Sequence, residues 1–259
     1  MIHATRFFLA VLLGFLAGCF SGAFGIGGGI FSTPAIRLIL MESPAIALGT
    51  PLPLCIPSAA VGGFNYWRKG KVDGRAVAFA APAGAAMSVA GAMLTGVINL
   101  HFLMVLTAAC LLYMAARTYY RAWFGDGEEG EGYVSLRGWK LSLVGGAAGL
   151  VSGLLGIGGG LVMVPGFLLW ARMDAKKALG TSLVCIAVLA VPGTVVHAYL
   201  GHVDWLLLTA MATGVMPGSW LGSRFTLRAR NRVVMTLFAA LLAATGIIFM
   251  ASELRAIFA

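Results

Sequence analysis

Two short glycine-rich stretches offer a site for chemistry that uses the backbone rather than side chains. Residues 22 to 29 read GAFGIGGG and residues 153 to 160 read GLLGIGGG, each inside an apolar run without a charged residue. Glycine is the poorest ordinary helix former, so each stretch predicts a break in a helix. Backbone N–H groups at a helix start carry partial positive charge, and glycine lets a ligand approach them closely. We therefore expect each break to cradle a small anion.

The predicted cradles are the two GxGGG motifs. Three successive glycines cover every side of a helix, which close packing on one side does not require. The binding residues that this predicts are Gly25, Gly27, Gly28 and Gly29 in the first motif and Gly156, Gly158, Gly159 and Gly160 in the second. A dinucleotide loop is disfavoured because GxGxxG needs a preceding strand and a soluble βαβ unit.

Other glycines in the same segments have a spacing typical of close helix packing. They lie four residues apart, as small residues do where two membrane helices touch. We assign these to packing: Gly14, Gly18 and Gly22, and Gly145, Gly149 and Gly153.

Hydroxyl groups follow each motif at a matching place. The sequence ALGT occurs at 47 to 50 and again at 178 to 181, so that Thr50 and Thr181 enter apolar helices, and Ser182 or Ser58 could add further hydroxyls. Such side chains also bond back to carbonyls of their own helix, so ligand contact and a structural role both remain open.

Ionisable residues inside the apolar runs are few, which limits the possible mechanisms. His197 is the candidate for a proton-linked residue, since an ionisable group at membrane depth is a functional hypothesis by default, with a packed, hydrogen-bonded histidine as the alternative. Asp73 and Asp204 lie at predicted helix starts, where carboxylates cap. No pair of buried acids suggests a proton pump.

The composition places these residues in a membrane. Of 259 residues, 60% are hydrophobic and 10% charged, and the mean hydropathy is +0.94. A bilayer needs about 20 apolar residues per helix. If the longest uncharged run is split at 99 to 101, each half has four apolar blocks. The net charge of +9 lies scattered in short loops, which indicates cytoplasmic faces rather than nucleic-acid binding.

The four cysteines stand singly in apolar blocks, without a CxxC motif. We expect them to pack rather than to bind a metal or take part in redox chemistry. The sequence therefore predicts neither a metal nor a cofactor.

The chain contains an internal repeat. A shift of 131 residues without a gap aligns the halves. The match includes both glycine motifs, Pro34 with Pro165, the two ALGT sequences, and GKVD at 70 to 73 with GHVD at 201 to 204. We divide the chain into a first repeat at 1–123, a polar acidic linker at 124–138 and a second repeat at 139–259.

The cationic loops predict that the two repeats are inverted. The first loop with a cluster of Lys and Arg, at 68 to 75, corresponds to a second-half loop that contains neither. Conversely, the second half has four arginines between 224 and 232, and the corresponding residues of the first half, 93 to 101, include no Lys or Arg. Cationic loops prefer the cytoplasm, so the halves should face opposite ways, as in many secondary transporters.

Inversion constrains the first block of each repeat. The other three blocks supply three crossings, so the broken block should cross the membrane zero times or twice. A V-shaped hairpin with about fifteen residues on each side satisfies this count. Arg6 fits this topology poorly, because it would place a cationic amino terminus outside. The predicted fold class is an all-α polytopic membrane protein of two inverted-topology repeats, each with a broken glycine-rich re-entrant or V-shaped hairpin followed by about three transmembrane helices.

The doubled motifs GIGGGIFSTP and GIGGGLVMVP, with the doubled ALGT and the GKVD and GHVD loops, resemble the sulfite exporter TauE/SafE family of membrane permeases from about 7 to 255. The resemblance implies transport of small sulfur-containing anions, such as sulfite, sulfoacetate or related organosulfonates, usually outward across the bacterial cytoplasmic membrane. It implies the family's motif glycines at 25 to 29 and 156 to 160, and its threonines at Thr50 and Thr181. Pro51, Pro53 and Pro57 have no counterpart in the second half, so the site need not be symmetric.

Two other functions remain open. The first is an uptake permease or a channel for another small anion or metabolite. The second is an intramembrane serine hydrolase that would use Ser152 with His197. We expect no enzyme activity, and partners limited to a small anionic substrate and the lipid bilayer, without nucleic acid; the sequence leaves a homodimer open.

Overall fold

The computed structural model describes residues 4–124, 137–229 and 231–258, and within these ranges all regular elements are helical. The centre of the predicted acidic linker, residues 125–136, lies outside the described residues. The helices are α1 (Ala4–Phe24), α2 (Gly29–Pro34, extended by a π-helical turn at Ala35–Ile39), α3 (Pro44–Gly49), α4 (Pro51–Arg68), α5 (Gly74–Leu94), α6 (Leu100–Phe124), α7 (Gly138–Leu155), α8 (Gly160–Leu169), α9 (Ala175–Tyr199), α10 (Trp205–Arg228) and α11 (Asn231–Phe258).

The helices confirm a polytopic membrane protein. Seven apolar segments in the described ranges are long enough to cross a bilayer. They are Thr5–Phe24, Pro44–Arg68, Gly74–Leu94, Leu100–Tyr120, Gly138–Leu155, Ala175–Tyr199 and Met235–Ser252. Helix α10 has 24 residues and packs along α1, although it is less apolar than these seven.

Both glycine motifs break a helix, as predicted. Helix α1 ends at Phe24 and α2 begins at Gly29, while α7 ends at Leu155 and α8 begins at Gly160. The arms are unequal, however, so the expectation of about fifteen residues on each side is wrong. The arms before the two breaks, α1 and α7, have 21 and 18 residues. The arm after the first break has 6 α-helical and 5 π-helical residues, and the arm after the second break has 10. The first arms are long because α1 and α7 each pack along a full-length helix, whereas a proline within each second arm removes one backbone hydrogen bond.

The glycines with four-residue spacing pack helices together, as predicted. A Cβ atom on Gly18 would lie 2.2 Å from the carbonyl oxygen of Val215 in α10, and one on Gly149 would lie 2.0 Å from that of Gly84 in α5. No side chain fits at such distances, so the backbones touch. Gly14, Gly18 and Gly22 of α1 face, in the same order, Met211, Val215 and Ser219 of α10. These two helices therefore run parallel.

Helices α4 and α9 cross the centre of the bundle in opposite directions. A Cβ on Gly180, near the start of α9, would lie 2.6 Å from Cβ of Tyr66, near the end of α4. Further along α9, the side chain of Val184 lies 3.2 Å from the Cβ position of Gly63, which comes earlier in α4. The two helices are therefore antiparallel.

Contacts between the halves occur in pairs related by the shift of 131 residues. The hydroxyl of Thr181 accepts the backbone N–H of Asp73 at 2.9 Å, and that of Thr50 accepts the N–H of Asp204 at 3.1 Å. Each aspartate also caps the following helix, as predicted, by accepting backbone N–H groups in its first turn. Each half thus holds the start of a helix in the other half.

One end of the bundle is rich in cations. There the α4–α5 loop meets the start of α9 through ion pairs of Lys71 with Asp174 at 3.4 Å and Lys177 with Asp73 at 3.2 Å. Lys176 donates to the carbonyl of Leu227 at the end of α10 at 3.1 Å. At the opposite end, Arg6 pairs with Glu42, so the cation that fitted the predicted topology poorly is neutralised locally.

Candidate functional site

The two glycine breaks meet in the interior of the protein. A Cβ on Gly29 would lie 2.6 Å from the carbonyl oxygen of Gly156, and one on Gly160 would lie 2.6 Å from that of Gly25. The eight glycines of the predicted cradles are all buried. The structure therefore brings together the two sets of binding residues that the sequence predicts.

The backbone at both breaks adopts conformations that favour glycine. The left-handed φ angles are 69°, 79° and 88° at Gly25, Gly27 and Gly28, and 67°, 83° and 75° at Gly156, Gly158 and Gly159. Gly28 and Gly159 precede the first residues of α2 and α8, and no side chain caps either helix start. The N–H groups of Phe31 and Val162 bond to the carbonyls of Gly28 and Gly159. The two N–H groups before each of these, at 29–30 and 160–161, are not used by the helix itself, so the backbone here can receive an anion.

Buried serine hydroxyls surround the first break. A Cβ on Gly28 would lie 3.5 Å from Cβ of Ser21 and 3.7 Å from Oγ of Ser58. Both serines are fully buried, and neither hydroxyl has a hydrogen-bond partner. A buried hydroxyl without a partner costs about 1–3 kcal/mol, so these two groups are candidates to bond to a ligand. On α2, the hydroxyls of Ser32 and Thr33 are also buried without partners.

The second break has the same kind of surroundings. Cβ of Ser152 lies 3.4 Å from the Cβ position of Gly159. Ser152 and Ser88 are fully buried, with no partner for either hydroxyl. Ser21 and Ser152 correspond in the repeat, and this correspondence is the sequence signal that could have identified them. The prediction favoured the hydroxyls of Thr50, Thr181 and Ser182 instead.

The structure places the predicted hydroxyls differently. Thr50 and Thr181 hold the starts of α10 and α5, and they lie near opposite ends of the antiparallel pair α4 and α9. They are not brought together, and their contact with a ligand stays a prediction. Ser182 does reach the first break, where its hydroxyl donates to the carbonyl of Gly25 at 2.8 Å.

His197 supports the second break from one side. Its Nε2 lies 2.8 Å from the carbonyl oxygen of Gly153, and its Nδ1 lies 3.3 Å from Nδ1 of His202. Tyr66, its counterpart in the repeat, donates its hydroxyl to the carbonyl of Gly22 at 3.2 Å. Because both nitrogens of His197 have these partners and the hydroxyl of Ser152 has none, the two do not form the hydrogen-bonded dyad that a serine hydrolase needs.

The electrostatics of the site come from dipoles rather than from charged side chains. The segments 7 to 36 and 141 to 171 contain no Lys, Arg, Asp or Glu. Cys55 packs between the breaks, with its sulfur 3.3 Å from the Cβ position of Gly27 and 2.8 Å from that of Gly158. Among the residues described, no cluster of His, Cys, Asp and Glu could hold a metal ion. The arrangement suits a small anion held by amides and hydroxyls.

Comparison with known proteins agrees with this membrane architecture. The family model described as Sulfite exporter TauE/SafE matches residues 10–249. The probable membrane transporter protein YdhB of Bacillus subtilis (strain 168) is 27% identical over 219 residues, covering 84% of this chain and 89% of that protein. The probable membrane transporter protein YunE of the same organism is 26% identical over 254 residues, covering 89% of this chain and 90% of that protein. No solved structure matches the chain significantly. A match over nearly the whole chain places this protein in the TauE/SafE family of membrane transporters.

Proposed function

We propose that this transporter exports small sulfur-containing anions, such as sulfite, sulfoacetate or a related organosulfonate, by alternating access. The observation that carries the proposal is the buried contact of two glycine breaks, lined by serine hydroxyls that lack partners. A sulfonate or sulfite group presents several oxygens around one sulfur, and backbone N–H groups and hydroxyls can bond to them from several sides. The cradle is formed by the glycines of both motifs, with Ser21, Ser58, Ser88 and Ser152 as additional donors.

The helix directions support two inverted repeats. Corresponding helices run antiparallel when the twofold axis that relates them lies in the membrane plane. Helices α4 and α9 correspond in the repeat and are antiparallel. Helix α1 packs parallel to α10, and their counterparts in the other half, α7 and α5, also pack parallel to each other. A twofold axis between the halves requires this pairing. In this proposal the binding site lies near the twofold axis, and movement of the halves exposes it to one side of the membrane at a time.

The charge distribution supports an orientation. Lys71, Lys176 and Lys177 lie at the end of the bundle that we propose faces the cytoplasm of a bacterial cell. The Arg6–Glu42 pair then lies on the outer side. An anion that leaves a cell with a negative interior gains about 2.3 kcal/mol per charge for each 100 mV. Export therefore does not depend on a coupling ion.

The experiment that tests this function measures ligand-induced stabilisation of the purified protein in detergent. We expect sulfite or sulfonates to raise the melting temperature more than sulfate, thiosulfate or acetate, because a ligand that binds the folded state stabilises it. An absence of any shift at millimolar concentrations would contradict the anion cradle. For the alternative of uptake, a deletion strain should fail to use an external sulfur source, whereas loss of an exporter should make cells sensitive to sulfite.

The serine hydroxyls provide a sharper test of the site. We expect the double variant Ser21→Ala and Ser152→Ala to bind the stabilising anion about tenfold more weakly, since each lost hydrogen bond is worth about 0.5–1.5 kcal/mol. The ligand-free melting temperature should not fall, because the hydroxyls have no protein partner to lose. In the control Ser182→Ala, the ligand-free melting temperature should fall, since that hydroxyl bonds to Gly25. Unchanged affinity in the double variant would remove these serines from the site.

A further inference from the structure

A pair of histidines adjoins the second glycine break and has no counterpart at the first. His197, fully buried on α9, has its Nδ1 atom 3.3 Å from Nδ1 of His202 in the following loop. The other nitrogen, Nε2, lies 2.8 Å from the carbonyl oxygen of Gly153. Gly153 belongs to the last turn of α7, which ends at Leu155, directly before Gly156 of the glycine break. A chain of hydrogen bonds thus leads from the loop to the edge of the candidate site.

The partners determine where the protons of the two neutral rings lie. A carbonyl oxygen only accepts hydrogen bonds, so Nε2 of His197 carries a proton. Nδ1 of the neutral His197 ring is then an acceptor, and the proton between the rings belongs to Nδ1 of His202. Nε2 of half-buried His202 is left as the acceptor through which a proton can enter from the loop.

Few charged groups surround the pair. The adjoining parts of the helices that pack against α9 contain no Asp, Glu, Lys or Arg: α3, the first turns of α4, the last turns of α5 and α7, and α8. Asp204 is engaged as the cap of α10, where it accepts the N–H groups of Leu206 and Leu207 at 2.9 Å each. Burial lowers the pKa of His202, so the loop histidine is neutral at neutral pH. The remaining histidine near this end, His101, lies in the first turn of α6, which packs against α3, α7 and α11.

The first half of the protein lacks this arrangement. Tyr66 and Lys71 occupy the positions that correspond to His197 and His202. The Tyr66 hydroxyl makes the equivalent bond to the carbonyl of Gly22, so the structural role of the position does not require histidine. A tyrosine at this position cannot hold an additional proton near neutral pH, and only the second half therefore carries a protonatable pair.

We propose that His197 and His202 bind one proton from the side of the 201–204 loop and couple it to anion binding at the second glycine break. The proton binds Nε2 of His202, and the proton on Nδ1 of His202 moves to Nδ1 of His197. His202 is neutral again, while His197 becomes an imidazolium that donates to the Gly153 carbonyl and to Nδ1 of His202. The pair has gained one proton and one positive charge, at the start of the break where the anion binds.

The coupling has a definite sign and rests on the proposed anion function. A positive charge beside the break favours the anion, and by linkage the anion favours protonation. Because the proton enters and leaves on the side of the 201–204 loop, it changes the anion affinity of the outward-facing state and carries no net charge across the membrane, so the membrane potential still favours export. Transport should therefore respond to pH on the side of the 201–204 loop.

The transport test uses 2-hydroxyethanesulfonate, whose single charge does not change with pH. In liposomes with the 201–204 loop outside, we expect the apparent affinity for external sulfonate to be at least about fivefold higher at about pH 5.5 than at about pH 7.5. The variant His197→Tyr should keep its bond to Gly153 and its stability, as Tyr66 does, but lose the pH response. The control Tyr66→His should keep the wild-type response. An unchanged response in His197→Tyr would overturn the proposal.

A second measurement separates this proposal from the substrate assignment. Nitrogen NMR of protein labelled at histidine reports which ring nitrogens carry protons. We expect His197 protonated at Nε2 and His202 at Nδ1 when neutral, and one shared titration of the two rings that the His197→Tyr variant loses. If this occurs without sulfonate transport, the proton site stands and the substrate is wrong. Independent titration of His202 with no change at His197 would refute the proposed shared proton.

Discussion

The substitution Gly28→Ala is expected to abolish sulfonate transport while leaving the protein folded in the membrane. The added methyl group would lie between the serines of the first break, 3.5 Å from Cβ of Ser21 and 3.7 Å from Oγ of Ser58, where we place the anion. These are ordinary contacts, so the methyl group fits the protein but occupies the cradle. At φ 88°, alanine also costs about 1–2 kcal/mol of backbone strain, which a folded protein tolerates. Uptake of labelled sulfonate by liposomes, normalised to folded protein, should fall at least about tenfold.

A matched control separates blocked binding from backbone strain. Gly70 has a similar left-handed φ of 66°, but it lies in an exposed loop with nothing within 4 Å of its Cβ position. Gly70→Ala should therefore lose a similar amount of stability and retain transport. If Gly28→Ala also retains transport, the first break is not part of the binding site.

The sequence predicted the glycine breaks because their signal is local. Three glycines inside an apolar run disfavour a continuous helix whatever surrounds them, and the repeat implied that two such breaks exist. Their meeting also followed from the repeat, since equivalent elements related by an axis near the centre can touch there. The contacts of Gly29 with Gly156 and of Gly160 with Gly25 are the result.

The hydrogen-bond partners of the hydroxyl groups could not be predicted from the local sequence. Thr181 and Ser182 are adjacent in the sequence, yet Thr181 bonds to the start of α5 and Ser182 to the first glycine break. Which partner a hydroxyl finds depends on helix rotation and on neighbours distant in sequence, and the apolar pattern encodes neither. For the same reason the sequence placed Ser152 beside His197 as a candidate dyad, whereas the ring nitrogens of His197 bond to Gly153 and His202.

Gly156→Ala is expected to have the larger effect on stability, because the fold leaves no room for its side chain. A Cβ atom would lie 1.8 Å from the carbonyl oxygen of Leu48, at the end of α3, and the φ angle of 67° adds left-handed strain. Strain of about 1–2 kcal/mol and overpacking of about 1–3 kcal/mol together consume much of a typical stability of about 5–15 kcal/mol. We expect a lower melting temperature and a loss of the monodisperse fraction in detergent size-exclusion chromatography.

The same substitution within α7 provides the control. A Cβ on Gly146 would meet only the side chain of Met87, at 3.5 Å, and alanine favours a helix interior by about 1 kcal/mol over glycine. Gly146→Ala should therefore keep or raise the melting temperature. If Gly156→Ala were equally stable, the close contact of the second break with α3 would be wrong. The glycine would then be required by the ligand alone, and transport would be lost without any loss of folded protein.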